Sequence, residues 1–260
     1  MPVHIGTSGW HYEDWGRAFY PDDVAKRRWL EYYSARFQTV ESNAAFYRLP
    51  KRETFEGWAA GTPDDFVMAV KMSRYLTHIR RLADPGEPVA RFMAMAEGLA
   101  DKLGPVLLQL PPNLHKDAGR LERVLALVPE WLHVAVEFRH PSWFDDETQS
   151  ILERHGAALC LADRGSRPVS PLWRTADWTY VRFHAGIGSP PPCYGRGAME
   201  SWARRLAAGW GPDFHVWAYF NNDTNCCALR DARIFHHACR RVGLRPTRIP
   251  AASEVEVIGG

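Results

Sequence analysis

The sequence has no long hydrophobic run and carries little net charge. No apolar stretch approaches the roughly 20 residues that a membrane-spanning helix requires. The formal net charge is only +2 over 260 residues, whereas dedicated nucleic-acid modules are usually more basic. Residues 1–6 lack the basic segment and long apolar segment of a signal peptide. These absences predict a cytoplasmic protein without a membrane partner.

Cysteine is scarce, and its spacing matches no metal-binding pattern. The five cysteines are Cys160, Cys193, Cys226, Cys227 and Cys239. An odd number without ligand spacing fits free thiols in a reducing cytoplasm. The adjacent pair Cys226–Cys227 is therefore interpreted as packing rather than redox chemistry.

Several catalytic motifs are also missing. The loop Gly6–Trp10 contains two glycines and two hydroxyls, but it lacks the lysine and the spacing of a Walker phosphate loop. The chain contains neither a Gly-x-Ser-x-Gly elbow nor a His-Glu-x-x-His helix. No motif for an organic cofactor is present, so the cofactor is unknown, and a divalent metal remains possible.

What the sequence does contain is eight short apolar runs that mostly end in a charged or amide residue. Continuous apolar runs are typical of strands buried on both faces in a parallel sheet. Helical patterns fill most of the gaps, which predicts an α/β protein with a single (β/α)8 TIM barrel. The barrel is expected over residues 1–244, with a frayed tail over 245–260. The runs are Val3–Gly6, Thr39–Glu41, Phe66–Lys71, Val106–Gln109, Val134–Glu137, Ala158–Asp163, Tyr180–His184 and Val216–Asn222.

The polar residues at the strand ends are the candidate site, because TIM-barrel active sites lie at the carboxyl ends of the strands. Residues two apart in a strand share a face, so Glu41 with Asn43 and Glu137 with Arg139 are expected to point together. The same parity joins Tyr180, Arg182 and His184. The candidate catalytic residues are Glu41, Glu137 and His184. The candidate substrate-binding residues are Trp10, Asn43, Lys71, His78, Gln109, Arg139, Asp163, Arg182, Tyr194, Asn221 and Asn222.

This set of residue types suggests acid–base chemistry on an anionic substrate. Two carboxylates can act as acid and base or as acid and nucleophile, and lysine and arginine bind carboxylate or phosphate groups. A His184 base or an oxygen-and-imidazole metal site built with Asp163 is compatible with the same set. The alternative is that the buried charges only pair with each other.

The sequence therefore favours an enzyme of hydrolase or lyase type that acts on an anionic small molecule or a chain end. A nucleic-acid-binding protein or phosphodiesterase is a second hypothesis, since aromatic residues beside basic ones can stack on bases and contact phosphates. A non-catalytic ligand-binding scaffold is the third.

The strand ends also resemble a known family, the domain of unknown function 72 family, which is also called YecE-like. The resemblance covers about residues 3–242 and implies a single TIM barrel. One departure is Ala185, where the family usually has glycine after the strand 7 histidine. The family's barrel is distantly similar to metal-dependent phosphodiesterases and sugar isomerases, but this chain lacks the ligands of a trinuclear zinc site. The matching segments are Gly6–Trp10, Phe19–Pro21, Glu41–Asn43 with Phe46–Tyr47, Lys71–Arg74 with Thr77–His78, Gln109–Pro112, Glu137–His140 with Trp143, and Phe220–Asn222.

Overall fold

The strands form one parallel sheet that curls into a TIM-type barrel, as the sequence predicts. The structure, a computed structural model, describes residues 2–16, 18–211 and 213–256. Strands β2 to β8 follow each other around the sheet, and β1 lies beside β8, with the short β9 beyond β1. The strands are β1 Pro2–Thr7, β2 Thr39–Ser42, β3 Val67–Lys71, β4 Leu103–Gln109, β5 Val134–Glu137, β6 Ala158–Arg164, β7 Trp178–Ala185, β8 His215–Phe220 and β9 Arg245–Pro246.

Helices cover the outside of the barrel between most of the strands. No helix occurs in the described chain between β6 and β7, where the sequence has two prolines and little periodicity. Aspartate side chains begin two helices by accepting a backbone N–H of the first turn, Asp117 from Arg120 and Asp145 from Thr148. The helices are α1 Trp29–Arg36, α2 Ala44–Tyr47, α3 Arg52–Ala60, α4 Gly86–Ala96, α5 Ala118–Leu125, α6 Asp146–Arg154, α7 Arg196–Gly209 and α8 Cys227–Arg241.

Side chains of alternating strand residues fill the inside of the barrel. This inner layer combines small residues on β3 and β5, such as Ala69 and Ala135, with large ones on β7 and β8, such as Tyr180 and Trp217. Larger aliphatic and aromatic residues on the opposite strand faces pack against the helices. Because strand side chains alternate with period two, Lys71 and Glu137 continue the inward faces of Ala69 and Ala135. The parity of the inner layer thus decides which strand-end residues reach the mouth.

Strands β1 and β2 meet at a seam that is bridged by a tyrosine side chain. The Tyr33 hydroxyl accepts the Thr7 backbone N–H at 3.0 Å and donates to the Thr39 carbonyl at 3.1 Å. At Gly6, an added Cβ would lie 2.3 Å from the Thr39 carbonyl oxygen. Glycine is therefore required for this close approach of the two strands.

Residues 245–256 differ from the frayed tail that the sequence predicts. β9 pairs with β1, and the Thr247 hydroxyl accepts the Ile5 backbone N–H at 3.2 Å. The Glu256 backbone N–H donates to the Ala18 carbonyl at 2.9 Å. These bonds tie the segment to β1 and to the loop that contains Ala18. Residues 257–260 of the predicted tail lie outside the described residues.

The expectation that all five cysteines are free thiols is wrong. Cys193 and Cys227 form a disulfide across 34 residues, whereas Cys160, Cys226 and Cys239 are free and buried. The fold brings the β7–α7 loop against the start of α8, a contact that cysteine spacing in the sequence does not reveal. None of the described helices combines the length and the apolar character needed to cross a bilayer.

Candidate functional site

A buried arginine joins two buried glutamates at the base of the barrel mouth. Arg182 on β7 donates to Glu41 of β2 at 2.8 Å and to Glu137 of β5 at 2.7 Å. All three side chains are at most 2% exposed. We call Glu41, Glu137 and Arg182 the mouth hub. Its members come from three different strands, β2, β5 and β7, and all three side chains point into the barrel.

Neighbouring donors add further hydrogen bonds to the two carboxylates of the mouth hub. The Tyr180 hydroxyl donates to Glu41 at 2.7 Å, and the Gln109 amide donates to Glu137 at 3.2 Å. Arg139 reaches Glu137 at 3.2 Å from the cavity side. Burial opposes ionisation of Glu137, but Arg182 and other nearby donors outweigh it and hold the pKa of this carboxyl well below its usual range.

His184 forms a dyad with Glu137 at the end of β7. Its Nε2 lies 3.0 Å from Glu137 Oε1, and its Nδ1 lies 3.3 Å from the Asn221 amide nitrogen. Burial lowers the pKa of His184 despite the neighbouring carboxylate. The imidazole is therefore neutral at pH 7, so that Nε2 donates to Glu137 and Nδ1 accepts from Asn221.

A cavity of about 680 Å³ opens above the mouth hub. Its cationic side chains are Lys71, Arg74, Arg139 and Arg182, while Asp223 is the carboxylate of its lining. Burial raises the pKa of Asp223. Four cationic side chains against one carboxylate make the lining of the cavity electropositive. The remaining lining residues are Tyr12, Asn43, Phe46, Tyr47, His78, Gln109 and Asn221.

Lys71 occupies an unusual position in this cavity. Its side chain is 7% exposed, and Nζ lies 3.8 Å from the centre of the Phe46 ring. Burial, together with the charge of Arg182, lowers the pKa of Lys71 to about 8. The ring attracts a cation, but it supplies no negative charge comparable to a carboxylate.

Two further predicted residues lie on the cavity wall. The His78 ring meets Phe46 edge-on, and its Nδ1 lies 2.8 Å from the Thr77 hydroxyl. Burial and the charge of Lys71 lower the pKa of His78 to about 4. Asn43 donates its amide to the Ser8 carbonyl at 3.2 Å.

A second opening of about 460 Å³ adjoins the first, and Arg139 lines both. It reaches Glu137 and His184, and its walls are mostly apolar. Phe144 and Val169 are among these walls. The mouth therefore has a cationic lobe and a more apolar lobe that meet at Arg139.

Three predicted site residues, Asp163, Tyr194 and Asn222, lie away from this mouth. Together with Asp231, which was not predicted, they form what we call the loop cluster. Asp163 accepts from Tyr194 Oη at 2.8 Å and from Trp202 Nε1 at 2.6 Å. Asp231 accepts from the Tyr194 backbone N–H at 2.6 Å and from the Asn222 amide at 2.8 Å. The reason is parity: Asp163 pairs in register with the outward-facing Phe183, and Asn222 follows the inward-facing Asn221.

The structure also places Trp10 outside the cavity lining. Its ring meets Trp58 edge-on with 5.4 Å between centroids, and its carbonyl accepts the Tyr20 hydroxyl at 2.6 Å. Trp10 and Tyr194 thus serve packing and hydrogen bonding here, rather than forming the predicted pocket walls.

Some cavity residues were not among the predicted site residues. Tyr12, Arg74 and Asp223 lie in loops that follow strands, and Phe46 and Tyr47 lie in the four-residue helix α2. In such short segments hydrophobic periodicity carries no information about side-chain direction. What could have identified these residues from the sequence is their position within segments that follow directly after the predicted strands. Those segments include Phe46–Tyr47 and Lys71–Arg74, which also carry the family resemblance.

Metal ligation by the strand-end residues finds little support in the arrangement. Across residues 2–16, 18–211 and 213–256, no three His, Cys, Asp or Glu side chains converge as a metal site. Arg182 already occupies the carboxylates of Glu41 and Glu137, and Asp163 faces α7. The two carboxylates that could bind a metal ion are therefore already paired with a guanidinium.

Comparison with known proteins agrees with this fold. The sequence profile of the family described as Protein of unknown function DUF72 matches residues 4–254. The UPF0759 protein YecE of Escherichia coli K12 is 30% identical over 230 residues, which cover 79% of this chain and 81% of YecE. The UPF0759 protein YunF of Bacillus subtilis is 30% identical over 199 residues, or 70% of each chain.

Solved structures give the same result for the fold. A DUF72 family protein from Thermotoga maritima superposes with a TM-score of 0.80 and 27% identity, covering 92% of this chain and 100% of that one. A second, from Enterococcus faecalis, has a TM-score of 0.76 and 16% identity, covering 92% and 95%.

Proposed function

The chain belongs to the DUF72 family, and we propose that it is an enzyme that acts on an anionic small molecule or chain end at the carboxyl mouth of its barrel. The observation that carries the proposal is the cationic cavity. Lys71, Arg74, Arg139 and Arg182 line it. Arg182 and Arg139 pair with the two glutamates of the mouth hub, so that Lys71 and Arg74 face one lining carboxylate, Asp223. An anion entering the cavity therefore meets positive charge that internal carboxylates do not cancel.

Hydrolase or lyase chemistry fits the dyad beside the cavity. In this proposal Glu137 orients His184, as a carboxylate orients a catalytic imidazole in other enzymes. The Nδ1 atom, whose partner among the described residues is the Asn221 amide at 3.3 Å, becomes the general base when a substrate displaces that amide. Glu41 and Glu137 remain candidates for proton transfer, but their contacts with Arg182 favour positioning.

Calorimetry with phenyl phosphate tests the proposal, since this probe joins an anion to a flat ring. Phenol is the matched neutral probe. We expect phenyl phosphate to bind and phenol to bind at least tenfold more weakly, because Arg74 and Arg139 contact only the charged probe. Arg139→Gln should weaken binding, whereas Arg154→Gln, on an exposed pair with Glu122, should not. Equal binding of both probes would contradict an anion site.

Nucleic-acid binding is the second candidate, because an exposed aromatic borders the cations. Tyr47 is 73% exposed and lines the cavity, so that a base could stack on it. Gel shifts with single-stranded DNA at low salt distinguish this candidate from a small-molecule enzyme. Absence of a shift at low salt removes it, and binding of a small anion without turnover of any substrate would instead favour a scaffold.

We also propose the cytoplasmic location that the composition predicts. The Cys193–Cys227 disulfide argues against a cytoplasmic location, because such bonds persist mainly in oxidising compartments. Cell fractionation after thiol blocking is the measurement. Recovery of the native chain in a periplasmic or secreted fraction would overturn this location.

A further inference from the structure

Lys71 differs from the other lysines in what surrounds its amine. The chain has five lysines. Lys26 pairs with Glu13, Lys116 pairs with Asp145, and Lys102 donates to two backbone carbonyls at 2.7 Å. Lys51 is exposed to solvent. Lys71, in contrast, is buried, and no carboxylate of the described residues lies within 4 Å of its Nζ.

The mouth hub explains why Lys71 is left without an anion. Its nearest acidic neighbours, Glu41 and Glu137, already bond to Arg182. That guanidinium repels a second cation, and the Phe46 ring replaces water on one side of the ammonium. Burial beside a like charge is how proteins generate reactive lysine amines.

The resulting pKa of about 8 changes the population of neutral amine. At pH 7 about one molecule in ten carries the free base, roughly 300-fold more than for an ordinary lysine of pKa 10.5. Free base with its lone pair available is the nucleophilic form. The amine also faces a cavity of about 680 Å³ that can admit a small molecule.

We propose that Lys71 is a nucleophilic amine that condenses with an aldehyde or ketone carried by the anionic substrate. The inference rests on the proposed function, since Arg74 and Arg139 would hold the phosphate or carboxylate of that substrate. The Nζ lone pair forms a bond to the carbonyl carbon, and the carbonyl π electrons move to oxygen. Both amine hydrogens leave with that oxygen as water, which yields the imine without an oxidant or reductant.

This assignment favours lyase chemistry over hydrolysis. A protonated imine withdraws electrons from the adjacent carbon, so that a carbon–carbon or carbon–hydrogen bond there breaks more easily. The neutral His184 at the same mouth would accept a proton in such a step. The substrate class is therefore a small carbonyl compound with a phosphate or carboxylate group.

Borohydride trapping with pyridoxal 5′-phosphate tests the proposal on the intact protein. This probe carries an aldehyde, a ring and a phosphate, and pyridoxal is its matched probe without phosphate. Reduction followed by peptide mass spectrometry reports which lysine carries the adduct. At a low ratio of probe to protein, we expect labelling of Lys71 at least tenfold above that of Lys51, with a rate that is half-maximal near pH 8.

Three comparisons complete the experiment. Inorganic phosphate should protect Lys71 and leave Lys51 unaffected, and Arg74→Gln should reduce labelling of Lys71 alone. Labelling of Lys51 equal to or above that of Lys71 would overturn the nucleophile. If phenyl phosphate binds in the cavity but Lys71 gives no adduct, the nucleophile fails and the anion site stands. If pyridoxal labels Lys71 as well as its phosphate does, the anion site fails instead.

Discussion

The mouth hub and the loop cluster both bury carboxylates, but they balance the charge differently. In the mouth hub a buried guanidinium faces Glu41 and Glu137. In the loop cluster Asp231 accepts short bonds from two neutral N–H donors and a longer one, 3.3 Å, from the partly exposed Arg230, and burial raises its pKa to about 6. Asp163 likewise accepts from Tyr194 and Trp202, and burial raises its pKa. In this protein the buried guanidinium and its neighbours outweigh the cost of burial at Glu137, whereas the donors around Asp163 and Asp231 do not.

Breaking the mouth hub should have the largest effect. Arg182→Met leaves two buried carboxylates without their counter-charge, and we expect the free energy of unfolding to fall by about 3–5 kcal/mol. Urea denaturation measures the loss. Arg154→Met, at an exposed pair, is the matched control and should cost less than about 1 kcal/mol. Equal, small losses for both variants would show that the hub contributes no more than a surface pair.

Removing the disulfide should loosen the loop cluster. Cys193 precedes Tyr194, and Cys227 lies on the same helix as Asp231. The double variant Cys193→Ala/Cys227→Ala frees a loop of 34 residues, for which chain entropy predicts a loss of about 3–4 kcal/mol. Denaturation with and without reductant is the measurement. The double variant should lose its response to reductant, and an unchanged wild-type stability in reductant would contradict the prediction.

The two regions should also differ in the sign of their pH dependence. The pKa of Asp231 is raised from 3.8 to about 6, so the folded state binds more protons than the unfolded state between these values. Stability from this group is therefore lost as pH rises from about 4 to 6, by up to about 3 kcal/mol. Asp231→Asn should remove that loss, as unfolding curves at each pH would show.

Glu137 is the matched comparison, since its pKa is lowered. Its stabilisation is present above about pH 4.5 and is lost as pH falls through the lower folded value. Glu137→Gln should therefore change the curve below pH 4.5 and leave its slope between pH 5 and 6 as in the wild type. If Asp231→Asn and Glu137→Gln changed the slope of stability against pH in the same direction and over the same pH range, the distinction between the regions would be refuted.

The smallest expected effect concerns the charge of Lys71 beside the mouth hub. Lys71→Gln should weaken phenyl phosphate binding about tenfold, the equivalent of about 1.4 kcal/mol. In the wild type the affinity should fall as pH rises through 8, because the ammonium loses its proton. Calorimetry across pH 6 to 9 measures both. A pH-independent wild-type affinity would remove Lys71 from the anion site.

The arrangement of the mouth hub could be predicted from the sequence, whereas that of the loop cluster could not. Apolar runs located the strands, and period-two parity grouped Glu137 with Arg139 and Arg182 with His184. For Asp163 and Asn222 the runs did not reveal which parity faces inward, because both faces of a barrel strand are apolar. The disulfide depends on how the β7–α7 loop folds over α8, which no local pattern specifies.

The Tyr33 hydroxyl at the seam between β1 and β2 affects how easily the barrel opens locally to hydrogen exchange. The Thr7 amide hydrogen bonds there to an aromatic side chain instead of a neighbouring strand. Movement of the Tyr33 side chain away from this amide would thus expose it to deuterium exchange with solvent, while the hydrogen bonds between strands stay intact. Glu41 lies on β2 above this seam, so an occupant that locks the mouth should also slow deuterium uptake at Thr7.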